Sequence, residues 1–165
     1  MAVEIQIMRD SDWEQVRSIY LEGIATGQAT FETDAPNWDT WNEGHLPAPR
    51  LVAVTDECVA GWAALSRVSA RKAYAGVAEV SVYVAQNSRG RGIGQLLLEA
   101  LVNESEKIGI WTLQASIFPE NTASVSLHKS SGFLEVGTRR RIAKLNGVWR
   151  DTVLLERRSE LVEKG

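Results

Sequence analysis

Val77 to Leu101 reads VAEVSVYVAQNSRGRGIGQLLLEAL. Its first eight residues, Val77 to Val84, are mostly apolar and valine-rich, which predicts a strand buried on both faces. Ala85 to Gly94 then brings two arginines and three glycines. From Ile93 the apolar residues fall at Ile93, Leu96, Leu97, Ala100 and Leu101, the spacing of one helical face. A glycine turn therefore delivers the chain into a helix N-terminus. Backbone N–H groups there lack internal partners and the helix dipole adds partial positive charge, so an anion is favoured. Gly90, Gly92 and Gly94 carry no Cβ, so a phosphate can approach the backbone closely. Arg89 and Arg91 add charge and forked donors. An ordinary tight connection with a glycine cap is the plainer reading, and it leaves three alternating glycines and two arginines unexplained.

Before this stretch, Val3, Ile5 and Ile7 alternate with polar residues in a short strand. Asp10-Ser11-Asp12 offers capping oxygens to a helix whose inner face is Trp13, Val16, Ile19, Tyr20 and Ile24, with Gly23 and Gly27 punctuating its end. A polar loop, GQATFETD at 27–34, holds one apolar residue, Phe31. A second helix starts near Pro36 and ends by Pro47. Strands 51–55 and 59–68 form a hairpin across Asp56-Glu57, and SARKAYAG at 69–76 leads into the central strand. After the central helix, which ends at Ile108-Gly109, come a strand at 111–118 stopped by Pro119, a helix at 121–131 capped by Asn121, and a strand from Phe133 to Ala143. Asn146-Gly147 turns the chain into a last strand at 148–155, and the charged tail 156–165 is expected to fray. The order is strand, two helices, three strands, helix, strand, helix, two strands: a mixed α/β sheet with helices on both faces. The 165 residues read as one domain, 1–165, long enough for a sound core.

Composition excludes several classes. A net charge of −3 gives no reason to expect a nucleic-acid or membrane partner. MAVEIQIMRD shows no signal peptide and no stretch approaches the ~20 apolar residues of a membrane span, so the expected location is the cytoplasm. One cysteine, Cys58, and two distant histidines, His45 and His128, offer no disulfide and no metal-ligand spacing. Six tryptophans are the one unusual count, and they serve cores, pockets and interfaces alike.

Three kinds of phosphate turn compete for Arg89–Gln95. A P-loop needs lysine and then serine or threonine after its last glycine, but Gln95 and Leu96 follow Gly94. A dinucleotide fingerprint needs a third glycine where Gln95 stands and an acid on the next strand, which offers Gln114. The third is an acyl-CoA pyrophosphate turn. Arg89-Gly90-Arg91-Gly92-Ile93-Gly94 resembles the R/Q-x-x-G-x-G/A signature of the GNAT N-acetyltransferase superfamily. Asn121, followed by Leu127-His128-Lys129-Ser130-Ser131-Gly132-Phe133, resembles that superfamily's next motif, and the element order is similar over nearly the whole chain. ATFE at 29–32, ARKAYAGVAEVSVYV at 70–84 and VWRDTVLLERR at 148–158 are similar to its phosphinothricin and methionine sulfoximine acetyltransferase group.

The resemblance implies the GNAT fold, with a central mostly antiparallel sheet, and direct transfer of acetyl from acetyl-CoA to a small amine, with no metal. It places the pyrophosphate on the N–H groups of Gly90 to Gln95, including Ile93, and the pantetheine arm along Val82, Tyr83 and Val84 as an added strand, where a splayed or bulged strand end would leave main-chain groups free. Asn121 would bond the cofactor near its thioester, and an N–H near Val82 or Val84 would meet the oxyanion. Ser130 stands where many relatives carry a basic residue, with Lys129 beside it.

Glu79 is the only acid in the central strand, where charge is costly unless used or paired, so it is the candidate base or ammonium holder. His128 replaces a tyrosine assigned elsewhere in the superfamily as the acid that protonates the thiolate; imidazole can act in either direction. A satisfied core histidine is the ordinary alternative. Arg71 and Tyr74, just before the strand, and Phe31 and Glu32, in the polar loop, are the candidate substrate residues, Arg71 for a carboxylate or phosphinate. Trp149 and Asp151 are candidates for a homodimer interface, as the resemblance implies, although a core tryptophan fits equally. Two other functions stay open: acetyl transfer to another amine (a polyamine, an aminoglycoside or a protein N-terminus), or acyl-CoA sensing without catalysis.

Overall fold

A computed structural model describes residues 2–163. Seven strands and four α-helices follow one another as β1 (Glu4–Ile7), α1 (Trp13–Ala25), α2 (Trp38–Gly44), β2 (Arg50–Thr55), β3 (Cys58–Arg67), β4 (Val77–Val84), α3 (Ile93–Lys107), β5 (Thr112–Ile117), α4 (Thr122–Ser130), β6 (Leu134–Leu145) and β7 (Val148–Arg158). This is the expected order of elements. The strands form one sheet, β1-β2-β3-β4-β5-β7-β6, antiparallel at every junction except β4–β5.

The sheet carries a core on each face. On one, α3 lays Ile93, Leu97, Leu98 and Leu101 against Leu65, Val80, Leu113 and Leu155. On the other, Trp13, Val16 and Ile19 of α1 and Trp41 of α2 pack on Val52 and Trp62. The tryptophans there meet edge to face, tilted or stacked at centroid separations of 5.6–5.9 Å, distances that favour aromatic pairs. So most of the unusual tryptophan content builds the layer beneath α1 and α2.

Four local expectations change. Leu96 is exposed and Leu98 is buried, so the stripe of α3 is rotated by part of a turn from the one expected. Gly23 lies inside α1 instead of ending it, because the Tyr83 ring occupies the space a Cβ would need. Pro36 precedes α2 without entering it; Asn37 is the cap, its side chain accepting from the Thr40 N–H at 2.9 Å. The tail is not frayed from 156, since residues 156–158 pair with β5 and the Arg158 guanidinium donates to the carbonyls of Val162 and Glu163. Lys164 and Gly165, also read as tail, lie outside the described residues.

The correction that matters for function concerns β4. It is not buried on both faces: Ala78 and Val80 point into the core, while Glu79, Ser81 and Tyr83 on the alternate face are only partly covered. β4 pairs with β3 at every residue after Val77, from Arg67↔Ala78 to Gly61↔Val84. With β5 it pairs only at Val77, Ala78 and Glu79. Beyond Glu79 the two parallel strands part, and among the described residues no strand takes their place.

Candidate active site

Two clefts open beside β4 where it parts from β5. The first, of about 560 Å³, is lined by Val82, Tyr83, Val84, Arg89, Gly90, Gly92, Ile93, Gly94 and Gln95, together with Asn121, Ser124 and Leu127 of the α4 end. Gly92 caps α3 in the left-handed conformation, φ 77°, and Gly90 has φ 78°. A side chain at either would be strained, and a Cβ built at either meets no atom within 4 Å, so the floor is open backbone. The Gly92 side offers α3 no capping bond, which leaves the first N–H groups of a 15-residue helix directed at the cleft. Arg89 lines this cleft and its Nε donates to the Val84 carbonyl at 3.4 Å. Gly94 lets α3 approach α4: a Cβ there would sit 3.3 Å from Leu127. Arg91 is exposed at the turn, outside the cleft lining.

A second cleft, of about 440 Å³, is lined by Glu79 and Ser81 of β4, Phe31 and Glu32 of the polar loop, and His128 of α4. Ala29, Val82, Tyr83, Asn121 and Ser124 belong to both clefts, which therefore meet beyond the point where β4 leaves β5. Glu79 stands at the last paired position, and its Oε1 accepts from the Gln114 side chain at 2.9 Å. His128 is buried; its Nδ1–H donates to the Ser124 carbonyl at 2.7 Å, and its ring meets Phe133 edge to face. That bond fixes the tautomer and leaves Nε2 as an acceptor. Burial holds the imidazole below its usual value of 6.5, against a smaller opposing effect of the Ser124 bond. The group is therefore neutral at pH 7.

The structure brings Phe31, Glu32, Glu79 and His128 to one cleft. It does not bring Arg71 or Tyr74 there: both are exposed, with the Arg71 guanidinium 5.8 Å from the Tyr74 ring centre, on the connection before β4. A 3₁₀ turn at Lys72–Tyr74 carries this stretch, and none of its residues is buried. Ser130 is likewise outside, its hydroxyl donating to the Leu127 carbonyl, and Lys129 pairs with Glu135 at 3.6 Å. Asn121 does cap α4, accepting from the Ser124 N–H at 3.2 Å, and its amide also donates to the Gln28 carbonyl at 3.1 Å. Cys58, which opens β3, is exposed and absent from both linings.

Several lining residues escape a sequence reading. Tyr20 reads as helix core and Ser66 and Thr152 as strand positions, yet all three face the second cleft. Ser66 is cross-strand to Glu79, which the β3–β4 register shows only once strands are paired. His45 also lines it, stacked on Trp41 at 4.1 Å with Nδ1–H donated to the Trp41 carbonyl; burial lowers its pKa as well. Burial likewise raises the phenols of Tyr20 and Tyr83, so both remain protonated.

An anion cradle at the start of a central helix, beside a strand that splays from its parallel neighbour, defines an acyl-CoA acetyltransferase fold. Residues 5–154 match the acetyltransferase (GNAT) domain, and the chain belongs to that family of enzymes. Among its relatives is a phosphinothricin N-acetyltransferase of Alcaligenes faecalis, 34% identical over 94% of this chain and 82% of the relative. An L-methionine sulfoximine/L-methionine sulfone acetyltransferase of Pseudomonas aeruginosa is 25% identical over 94% of each. A GNAT phosphinothricin acetyltransferase from Sinorhizobium meliloti, solved with acetyl-CoA, superposes with a TM-score of 0.88 at 27% identity, covering all of this chain and 92% of its own.

Proposed function

We propose that this enzyme carries acetyl from acetyl-CoA directly to the amino group of a small amino-acid-like substrate such as phosphinothricin, methionine sulfoximine or methionine sulfone. The observation that carries the reading is the junction of the two clefts at the end of the β4–β5 pairing. It lets a cofactor held at the glycine turn reach an amine held beside Glu79. The names of the relatives support the substrate class.

The residues fit the cofactor. The N–H groups of Gly90 to Gln95 would take the pyrophosphate, and the unpaired edge of Val82–Val84 would take the amide-bearing arm as a strand takes a neighbour. Acetyl-CoA supplies the thioester that makes the acetyl group transferable. Fixing two reactants at this junction is worth up to about 7–11 kcal/mol of the barrier.

The amine arrives as an ammonium ion and loses two protons in becoming an amide; one of them ends on the departing sulfur. Glu79 accepts the first, directly or through water, with Gln114 fixing its carboxylate. His128, neutral with Nε2 open, takes the second and returns it to the sulfur. A backbone N–H near Val82 or Val84 meets the negative charge that develops on the carbonyl oxygen. Thiol release with acetyl-CoA and a panel of such amines tests the reading. Turnover of at least one is expected, while acetyl-CoA binding with no transfer to any would replace it with a sensor.

A further inference from the structure

The loop at 27–34 brings Ala29, Thr30, Phe31 and Glu32 to the second cleft, yet its backbone has few ties to the rest of the fold. Gln28 N–H is held by the hydroxyl of Thr26, the C-cap residue of α1, and Glu32 N–H by the Thr30 hydroxyl within the loop. At its far end Arg17 donates to the carbonyls of Ala35 and Pro36. At its near end the Asn121 amide donates to the Gln28 carbonyl at 3.1 Å, and the remaining ties come from β7. Arg150 donates through Nη1 to the Gly27 carbonyl at 3.0 Å and through Nη2 to the Gln28 side-chain oxygen at 2.8 Å. The same Nη2 lies 3.4 Å from Glu120, and the guanidinium lies 4.0 Å from the Phe118 ring centre. Phe118 in turn meets Phe31 edge to face at 4.9 Å.

We propose that Arg150 is a positioning residue that sets the 27–32 segment as the movable wall of the amine cleft. Resting on the reading of that cleft as the amine site, the proposal gives Arg150 no contact with either reactant. Three features favour it. The side chain is 15% exposed, so its charge is committed to these partners instead of to water. A planar fork can serve two acceptors and stack on a ring at once, which lysine cannot. And two strand positions on, on the same side of β7, Thr152 itself lines the cleft, so Arg150 sits at its rim.

The test uses Arg150→Ala and Arg150→Lys in the full chain. Gln28 and Ala29 also line the first cleft, so Arg150→Ala should raise both Michaelis constants, that for the amine at least tenfold and that for acetyl-CoA severalfold less, and Arg150→Lys should fall between it and the parent. Hydrogen exchange of the amides of 27–32 should accelerate in the same order, with α4 and β7 protected as before. Equal losses toward both substrates, or an unchanged KM for the amine, would overturn the proposal. If Arg150→Ala does not fold, Arg150→Lys decides by the same measures. If the parent acetylates none of the amines offered, the substrate reading fails. Exchange at 27–32 still decides the present one, and no acceleration in either variant overturns it.

Discussion

In the proposed reaction Glu79 and His128 divide the chemistry by their surroundings. Glu79→Gln keeps the shape and the neighbour of Gln114 but removes the proton acceptor. It should lower kcat by roughly 10²–10⁴-fold, as general bases do, with acetyl-CoA affinity little changed; equilibrium binding beside steady-state kinetics separates the two, and a collapse of affinity would make Glu79 structural. His128 makes a pH prediction. Its folded pKa lies below 6.5, so below that pH the unfolded chain binds the proton more readily than the native one. Stability from this group is whole above 6.5 and is lost as pH falls through the folded value. The acid limb of kcat/KM should lie below 6.5 for the same reason, and His128→Asn should remove that limb; a limb at or above 6.5 in the parent would contradict the neutral-acceptor role. Both residues were legible because each breaks a pattern, an acid in an apolar strand and a histidine within a motif. Tyr20, Ser66 and His45 break none, so nothing in their own segments marks them, and only the packed sheet turns them toward the cleft.

At the scale of elements, the splay of β4 from β5 is the feature on which the site depends, and its closed end is held by glycine. Gly76 accepts from the N–H groups of Trp111 and Thr112 at 2.8 and 3.0 Å, one residue before the three paired positions. The Trp111 ring covers Gly76 so closely that a Cβ there would overlap it. Gly76→Ala should therefore cost about 1–3 kcal/mol of stability through overpacking, which denaturant unfolding reads directly. It should also shift Glu79, three residues away, and so lower kcat; an alanine variant as stable and active as the parent would show the contact to be soft. At the other end of the strand, Gly92→Val would force a branched side chain to φ 77° at the helix cap. A rise in KM for acetyl-CoA with the amine KM unchanged is the expected result. The glycines of the turn announced this element in the sequence. A splayed or bulged end is expected only through the family resemblance, because the valines that follow Glu79 look the same whether a strand is paired on one side or two.

Across the whole molecule, the two edges of the sheet differ. β1 is a short four-residue edge, which limits how far another strand could pair with it. β6 is twelve residues long and exposed along nearly its entire length, with Leu134, Val136 and Ile142 uncovered, and Val148 and Trp149 beside them on β7. Exposed apolar side chains along a long edge strand favour a partner, and we propose a homodimer built along this edge. Trp149 belongs to that surface and not to the core: it is 47% exposed, with Lys144 4.9 Å and Arg141 5.8 Å from its ring. Asp151 is engaged within its own chain, accepting from the Arg141 N–H at 2.7 Å, so it shapes the face by bending β6 around the left-handed Arg141. Sedimentation at micromolar concentration should give twice the 18.2 kDa of one chain. Val136→Glu with Ile142→Glu should shift it to the single chain, because two carboxylates facing their copies across a symmetric contact would be desolvated without partners. A parent that sediments as a monomer throughout that range would sink the homodimer.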